Sequence, residues 1–308
     1  MMETLIEKII LKRKSFVIKE IFDLFEFIFC KLERFCSLEN KIVGFFQIFT
    51  NGKLIAAYRR KKYTILKNKS NSKIVNELNK NSFCYLGKLD KSELDIGRNF
   101  FFNQKTIFNS HVPFFFKKGE RESKIDTSEF LKDEKSSYGS FDIRTSVECP
   151  NLKQICKKYK FKEIAEEYLI SKKADVFSIN TMLTKSSNSK HDVFNLHRDT
   201  DSINSVAFFI YWTTTNQNNG STSLIPGSHI YNFDRKFGKI YEPNYCLKHL
   251  EGDEGSIYAL DAWSYHRGNN KLTNPRLATW IRYSSVPSGN YYLDRNYLFK
   301  KELSDFNS

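Results

Sequence analysis

The sequence predicts a mostly β protein with flanking helices, whose strands close into a barrel or a sandwich. Three observations lead there. Turn-forming residues come late: none of the six prolines precedes Pro113, while seven of the thirteen glycines and four prolines fall between Gly220 and Gly289. Apolar residues at helical spacing dominate the first fifty positions. Between residues 175 and 283 lie four short runs rich in β-branched and aromatic side chains, separated by Gly, Pro and Asn turns. With 308 residues, 40% of them hydrophobic and including 28 Phe and 16 Tyr, the chain carries ample apolar material for a large core, which excludes a disordered protein.

In chain order, the first expected unit spans residues 1–48. Leu5, Ile9, Ile18, Ile21, Phe22, Phe25, Ile28, Phe29 and Leu32 recur mostly every three or four residues, the spacing of an amphipathic helix. Its Phe-rich face calls for packing against the body of the protein, with dimerisation or docking on a membrane surface as the alternatives. Charges interrupt it too often for a membrane span, among them Lys19, Glu20, Asp23, Glu26, Lys31, Glu33 and Arg34. Residues 49–80 read as a basic linker or patch: Lys53 to Lys80 hold nine basic residues against Glu77 alone, including Arg59-Arg60-Lys61-Lys62. A solvated linker is one reading, and a patch facing phosphate, an anionic partner or a peripheral membrane surface is the other. Nucleic acid is disfavoured, because no base-reading motif or regular aromatic interleaving accompanies the charge. The net charge of +14 adds little, since Lys and Asn are enriched along much of the chain.

The third expected unit spans residues 81–308. A helix is expected from Leu152 to Ile170, followed by strands at Asp175–Asn180, Val206–Trp212, Gly255–Leu260 and Leu277–Tyr283. Neither G-x-G-x-x-G nor G-x-x-x-x-G-K-[ST] occurs, so nucleotide-binding folds are disfavoured. The six cysteines form no C-x-x-C pair and read as reduced thiols. With no signal-like run at the start, the expected location is cytoplasmic.

Two of the six histidines stand out by their neighbours. His197-Arg198-Asp199 sets an imidazole and a carboxylate two residues apart, on one side of an extended segment. Alone, an H-x-D triplet is usually a surface turn. Further on, Gly252 to Tyr265 form a turn and strand that deliver His266. Two imidazoles and one carboxylate make the facial set that leaves open positions on a six-coordinate Fe(II). Arg276 then opens the last strand, and its guanidinium suits the far carboxylate of a chelating dicarboxylate. His229, in a Pro-Gly-Ser-His turn, reads as a loop residue. His191 lacks a carboxylate two positions on, and His111 and His249 have no matching partners.

These residues, with Trp212-Thr213 and Asn219-Gly220 through Ile225-Pro226-Gly227-Ser228-His229 lying between them, resemble the phytanoyl-CoA dioxygenase family of Fe(II)- and 2-oxoglutarate-dependent oxygenases. The resemblance covers about residues 175–285. It implies a double-stranded β-helix (jelly-roll, cupin-like) core, with His197, Asp199 and His266 as iron ligands. It also implies Arg276 as partner of the 2-oxoglutarate C5 carboxylate and Trp212 lining the cosubstrate pocket. Fe(II), 2-oxoglutarate and O2 are then the implied cofactors, and a small organic molecule hydroxylated at a C–H bond is the substrate, with succinate and CO2 released. One departure matters: many members carry H-x-S at the distal ligand, where the serine helps hold 2-oxoglutarate, and here His266-Arg267-Gly268 stands instead. Members that halogenate replace the carboxylate ligand by a small residue, so Asp199 favours an oxygenation outcome. The competing expectation is a catalytically silent cupin-like module that docks an anionic partner through its basic segment.

Overall fold

The computed structural model describes residues 53–109, 123–133, 138–172, 174–185, 194–199, 204–230, 246–269 and 273–285, together with 303 and 306. The amphipathic segment expected over residues 1–48 lies outside them. The first described elements are helices α1 (Lys53–Lys69) and α2 (Lys73–Asn81). Within the segment expected as a basic linker or patch over residues 49–80, the described part is thus mostly helical. One face of α1 is internal, where Arg59 and Lys62 are buried and find Asp261 and Asn204 as partners. Arg60, Lys67, Lys69, Lys73 and Lys80 remain on the solvent side. Sequence alone hides this division, because the partners of the internal cations lie more than 140 residues downstream.

Strand β1 (Phe83–Lys88) leads into α3 (Lys91–Phe102), whose start is fixed by a capping box between Asp90 and Glu93. Short elements follow: β2 (Thr106–Asn109), β3 (Ser123–Asp126), α4 (Thr127–Lys132), β4 (Tyr138–Ser140) and α5 (Ile143–Val147). The helix expected over Leu152–Ile170 is two helices, α6 (Leu152–Lys158) and α7 (Phe161–Leu169). Lys160 breaks them by adopting a left-handed conformation at φ 54°. The expected strands are present as β5 (Asp175–Thr184), β6 (Ser205–Tyr211), β9 (Ser256–Leu260) and β11 (Arg276–Ser284), with short β7 (Thr222–Leu224), β8 (Lys248–Leu250) and β10 (His266–Gly268) between them.

The strands form two sheets, an eight-stranded one in the order β1-β9-β6-β11-β5-β4-β2-β3 and a three-stranded one in the order β10-β7-β8, all pairs antiparallel. This is the double-stranded β-helix core, with helices laid on the outer face of the large sheet. Two separate apolar clusters show why the long strands carry no polar-out pattern. Outward residues such as Phe208, Ile210, Leu277 and Ile281 pack against Phe101, Leu152, Phe161 and Tyr168 of the helices. The Phe161 and Phe208 rings stack with centroids 4.2 Å apart. Inward residues Ala207, Phe209, Tyr211, Tyr258, Leu260 and Ala278 meet Leu224 and Leu250 of the small sheet. Both faces are covered, so nearly every position of β6 and β11 is buried. Among the described residues no helix is long and apolar enough to cross a membrane.

Candidate metal centre

His197, Asp199 and His266 converge, with one ligand atom from each lying within 4.8 Å of the others. Backbone pairing brings them together. His197 and His266 form an antiparallel bridge, with N–H to O distances of 2.9 and 2.8 Å in the two directions, and Asp199 N donates to Ala262 O at 3.0 Å. The H-x-D segment is therefore stitched to the 261–266 turn. In each histidine, Nδ1 lies against a backbone carbonyl two residues earlier: Asn195 O at 2.7 Å for His197, and Ser264 O at 2.9 Å for His266. A carbonyl can only accept, so the proton sits on Nδ1 and the lone pair on Nε2. The two Nε2 atoms stand 3.7 and 3.8 Å from Asp199 Oδ1.

The electrostatics suit a cation. Burial alone would raise the Asp199 carboxyl, yet the positive surroundings, the Arg282 guanidinium first among them, outweigh it and hold the group below the usual carboxylate range. Burial pushes the His266 imidazole down to about 4, so it stays neutral and able to ligate. An ionised carboxylate and imidazoles with oriented lone pairs form the donor set of a non-haem Fe(II) site.

Arg276 lies on the inner face of β11 and is buried. Its Nη1 donates to Gly220 O and its Nε has no hydrogen-bond partner. Among the described residues no carboxylate reaches it, and the charged-form neighbours that act on it are the phenols of Tyr211 and Tyr138. A buried guanidinium without an anion is costly, and a ligand carboxylate would satisfy it. Period-two alternation carries the same face through Ala278 and Trp280 to Arg282, whose Nη1 is 3.4 Å from Asp199 Oδ2. Between the two arginines, Trp280 and its register partner Asn180 are the positions where otherwise buried strand interiors stay partly open to solvent.

The turn motifs between the ligands now have physical roles. Asn219 Oδ1 accepts from Asn274 N at 3.1 Å, tying the turn to the approach of β11. Gly220, at φ 69°, turns its carbonyl to Arg276. Ser228 Oγ accepts from Tyr265 N, and Ser228 O from Arg198 Nη2, both at 2.9 Å, so the Pro-Gly-Ser turn braces both ligand segments.

Trp212 does not join the site. It follows β6, where Tyr211 faces inward, so its indole points outward into the helix-facing core, against Phe101. Its Nε1 donates to Thr279 Oγ1 at 2.8 Å. Tyr211 takes the inner position expected of Trp212. Its hydroxyl donates to Thr222 Oγ1 at 2.9 Å, and its ring centre is 6.0 Å from the Arg276 guanidinium. Thr222 is the register partner of Gly268, the position at which the resemblance led to the expectation of a serine, so this hydroxyl pair stands beside it. Alternation from Arg276 would have found Arg282 in the sequence, but nothing in the sequence marks Tyr211.

His229 is buried apart from the triad, with neither ring nitrogen at hydrogen-bond geometry to a partner. His249 sits on β8, its Nδ1 2.8 Å from Ser223 Oγ. His111 and His191 lie outside the described residues.

No curated protein matches the sequence. The solved structure of EctD from S. alaskensis with 2-oxoglutarate and 5-hydroxyectoine matches over 70% of this chain and 76% of its own, at 12% identity and a TM-score of 0.51, a likeness of fold. The non-heme alpha ketoglutarate dependent epimerase SnoN from nogalamycin biosynthesis matches over 68% and 81%, at 13% identity and a TM-score of 0.48. The phytanoyl-CoA dioxygenase family model matches residues 99–276. Spanning more than half of the sequence, this match shows that the chain belongs to the phytanoyl-CoA dioxygenase family of non-haem Fe(II)- and 2-oxoglutarate-dependent oxygenases.

Proposed function

We propose that the protein is a hydroxylase of a small organic substrate, with Fe(II) held by His197, Asp199 and His266 and the far carboxylate of 2-oxoglutarate held by Arg276. The observation that carries the reading is the pairing, within one barrel, of a ready-made His-Asp-His set with a buried guanidinium that no carboxylate of the described residues neutralises. When bound, Fe(II), 2-oxoglutarate and O2 supply an oxidative decarboxylation to succinate and CO2 coupled to oxidation of a substrate C–H bond.

The chain's own residues orient and insulate that chemistry. Asn195 and Ser264 carbonyls fix the histidine tautomers. Arg282 holds one oxygen of Asp199 so that the other faces the imidazoles. Tyr211 and Thr222 offer hydroxyls beside Arg276 in place of the serine absent at Gly268. Trp280, stacked on Phe209 at 5.6 Å, presents apolar surface at the partly open position between Arg276 and Arg282. Asp199 supplies a carboxylate where a halogenating site needs room for halide, which supports oxygenation over halogenation.

The test is anaerobic titration of 2-oxoglutarate into Fe(II)-loaded protein, followed by succinate release on admitting O2. A visible absorbance band of the chelate, with succinate formed only when Fe(II) is present, supports the reading. Protein that forms neither is a silent binding module. A screen of metabolites for added thermal stability in the Fe(II) and 2-oxoglutarate complex identifies the substrate, and the position of the new hydroxyl in the product separates hydroxylation from epimerisation or ring closure.

A further inference from the structure

Behind the triad, on the side away from the barrel interior, a second group of charged residues is enclosed by α1, α7 and the 261–266 turn. Arg59 Nη1 lies 2.8 Å from Asp261 Oδ2, with the two side chains 1% and 0% exposed. The Tyr168 hydroxyl donates to the same carboxylate oxygen, while Asp261 Oδ1 accepts from Trp263 N at 2.9 Å. Asp261 O accepts from Ser264 N at 2.9 Å. The Trp263 ring is flanked by two guanidiniums, Arg59 at 4.9 Å and Arg198 at 5.8 Å from its centre. Arg198 is the middle residue of the H-x-D segment.

This turn supplies the contacts that orient two of the three ligands. Ala262 O receives Asp199 N, and Ser264 O receives His266 Nδ1. Asp261 organises the turn through both its side chain and its backbone. Its charge is matched by a cation more than 200 residues earlier in the chain. Lys62, buried on the same helix, adds a second positive charge nearby, but Arg59 is the cation in direct contact with the carboxylate, and removing the contacting member of a buried pair strands the other.

We propose that Arg59 is a positioning residue of the metal centre: through Asp261 it fixes the 261–266 turn and so the orientation of Asp199 and His266. Helix α1 is then part of the metal site's supporting shell, acting through the Asp261 turn. The inference rests on the reading that the triad holds a divalent metal.

Co(II) binding to the full chain, followed by its d–d absorption, provides the test without recourse to turnover. Arg59→Gln is expected to bind Co(II) about 10–100-fold more weakly, as removal of outer-shell partners does, with a shifted and weakened d–d band. Leu152→Ala, a core truncation on α6, is the control: it lowers the thermal midpoint and keeps wild-type affinity and spectrum. Arg59→Lys keeps the charge and loses the fork, so its affinity falls between the two, about 2–10-fold below wild type. Should Arg59→Gln fail to fold, Arg59→Lys decides the matter. Wild-type affinity and spectrum in a folded Arg59 variant overturn the inference. If the wild-type chain takes up no Co(II), the metal reading fails and this inference with it; uptake that Arg59→Gln leaves unchanged sinks this inference alone.

Discussion

Arg282 Nη1 stands 3.4 Å from Oδ2 of Asp199, leaving Oδ1 of that carboxylate to the two imidazoles. The aspartate is thus part of a charge pair as well as a proposed ligand, and removing it is expected to have two effects. Asp199→Ala is expected to lose stoichiometric Fe(II) and also to lower the stability of the metal-free protein by about 1–3 kcal/mol, because Arg282 is buried and loses its carboxylate. His197, whose side chain is 35% exposed, is expected on replacement by Ala to lose the metal with little change in thermal midpoint. Metal content by atomic absorption and melting of the metal-free proteins separate these outcomes. Equal melting of the two variants would show that the pair contributes nothing to the fold.

Arg276→Ala is expected to weaken 2-oxoglutarate by tens- to thousands-fold, about 2–5 kcal/mol, while Fe(II) affinity is nearly unchanged. Lys restores part of the affinity, because a point charge replaces a fork. Titration of the chelate absorbance reads both. Midpoints equal to wild type would assign the far carboxylate to another residue.

Tyr211→Phe and Thr222→Val each remove one hydroxyl from the pair beside Gly268. Each should raise the 2-oxoglutarate midpoint about tenfold or more, the worth of a hydrogen bond to a charged group. No effect from either would leave Arg276 as the sole anchor.

Trp212→Phe is expected to lower the thermal midpoint and leave 2-oxoglutarate affinity alone, since the indole serves the outer core and Thr279. Gly97→Ala should act the same way, by about 1–3 kcal/mol, because a Cβ there would run into the Trp212 ring. A change in cosubstrate midpoint without a change in melting would return Trp212 to the pocket.

Burial pushes both His229 and His266 down to about 4. Between an unfolded value near ~6.5 and that figure, the unfolded chain binds protons that the native state refuses, so stability is full above this window and falls as pH drops through it. Each imidazole contributes up to about 3 kcal/mol. Asp199 and Asp261, both held below the usual range, add a loss only below about 4, where unfolded carboxylates protonate first. The metal-free protein should lose several degrees of thermal midpoint between pH 7 and 5, at about 2–4 °C per kcal/mol. His229→Leu should remove about half of that fall, and a profile unchanged by this substitution would contradict the burial argument.

The convergence of His197 and Asp199 was legible in the sequence because it is local, a two-residue spacing on an extended segment, whereas His266 and Arg276 were picked out by the strand each of them borders. The strands were legible from their β-branched and aromatic composition. Which face of β6 looks inward was not legible, since the run Ser205 to Tyr211 is buried on both sides and apolarity cannot tell the barrel from the helix layer. That one-residue ambiguity misplaced Trp212 and concealed Tyr211. The burial of Arg59 and Lys62 was equally hidden, because a run of cations is a local pattern whereas Asp261 and Asn204 are distant in the chain.

The pairing of β1 with β9 and of Arg59 with Asp261 also governs the order in which the molecule can be assembled. At about 5–20 residues per second, the 202 residues that separate Arg59 from Asp261 take roughly 10–40 s to emerge from a ribosome. Throughout that interval α1 and β1 have neither their ion-pair partner nor their neighbouring strand, and a helix-forming basic segment waits beside an unpaired strand edge. Docking of α1 and β1 onto the 256–261 segment is therefore a long-range closure, and until it forms β1 presents an unpaired edge of the kind that invites aggregation.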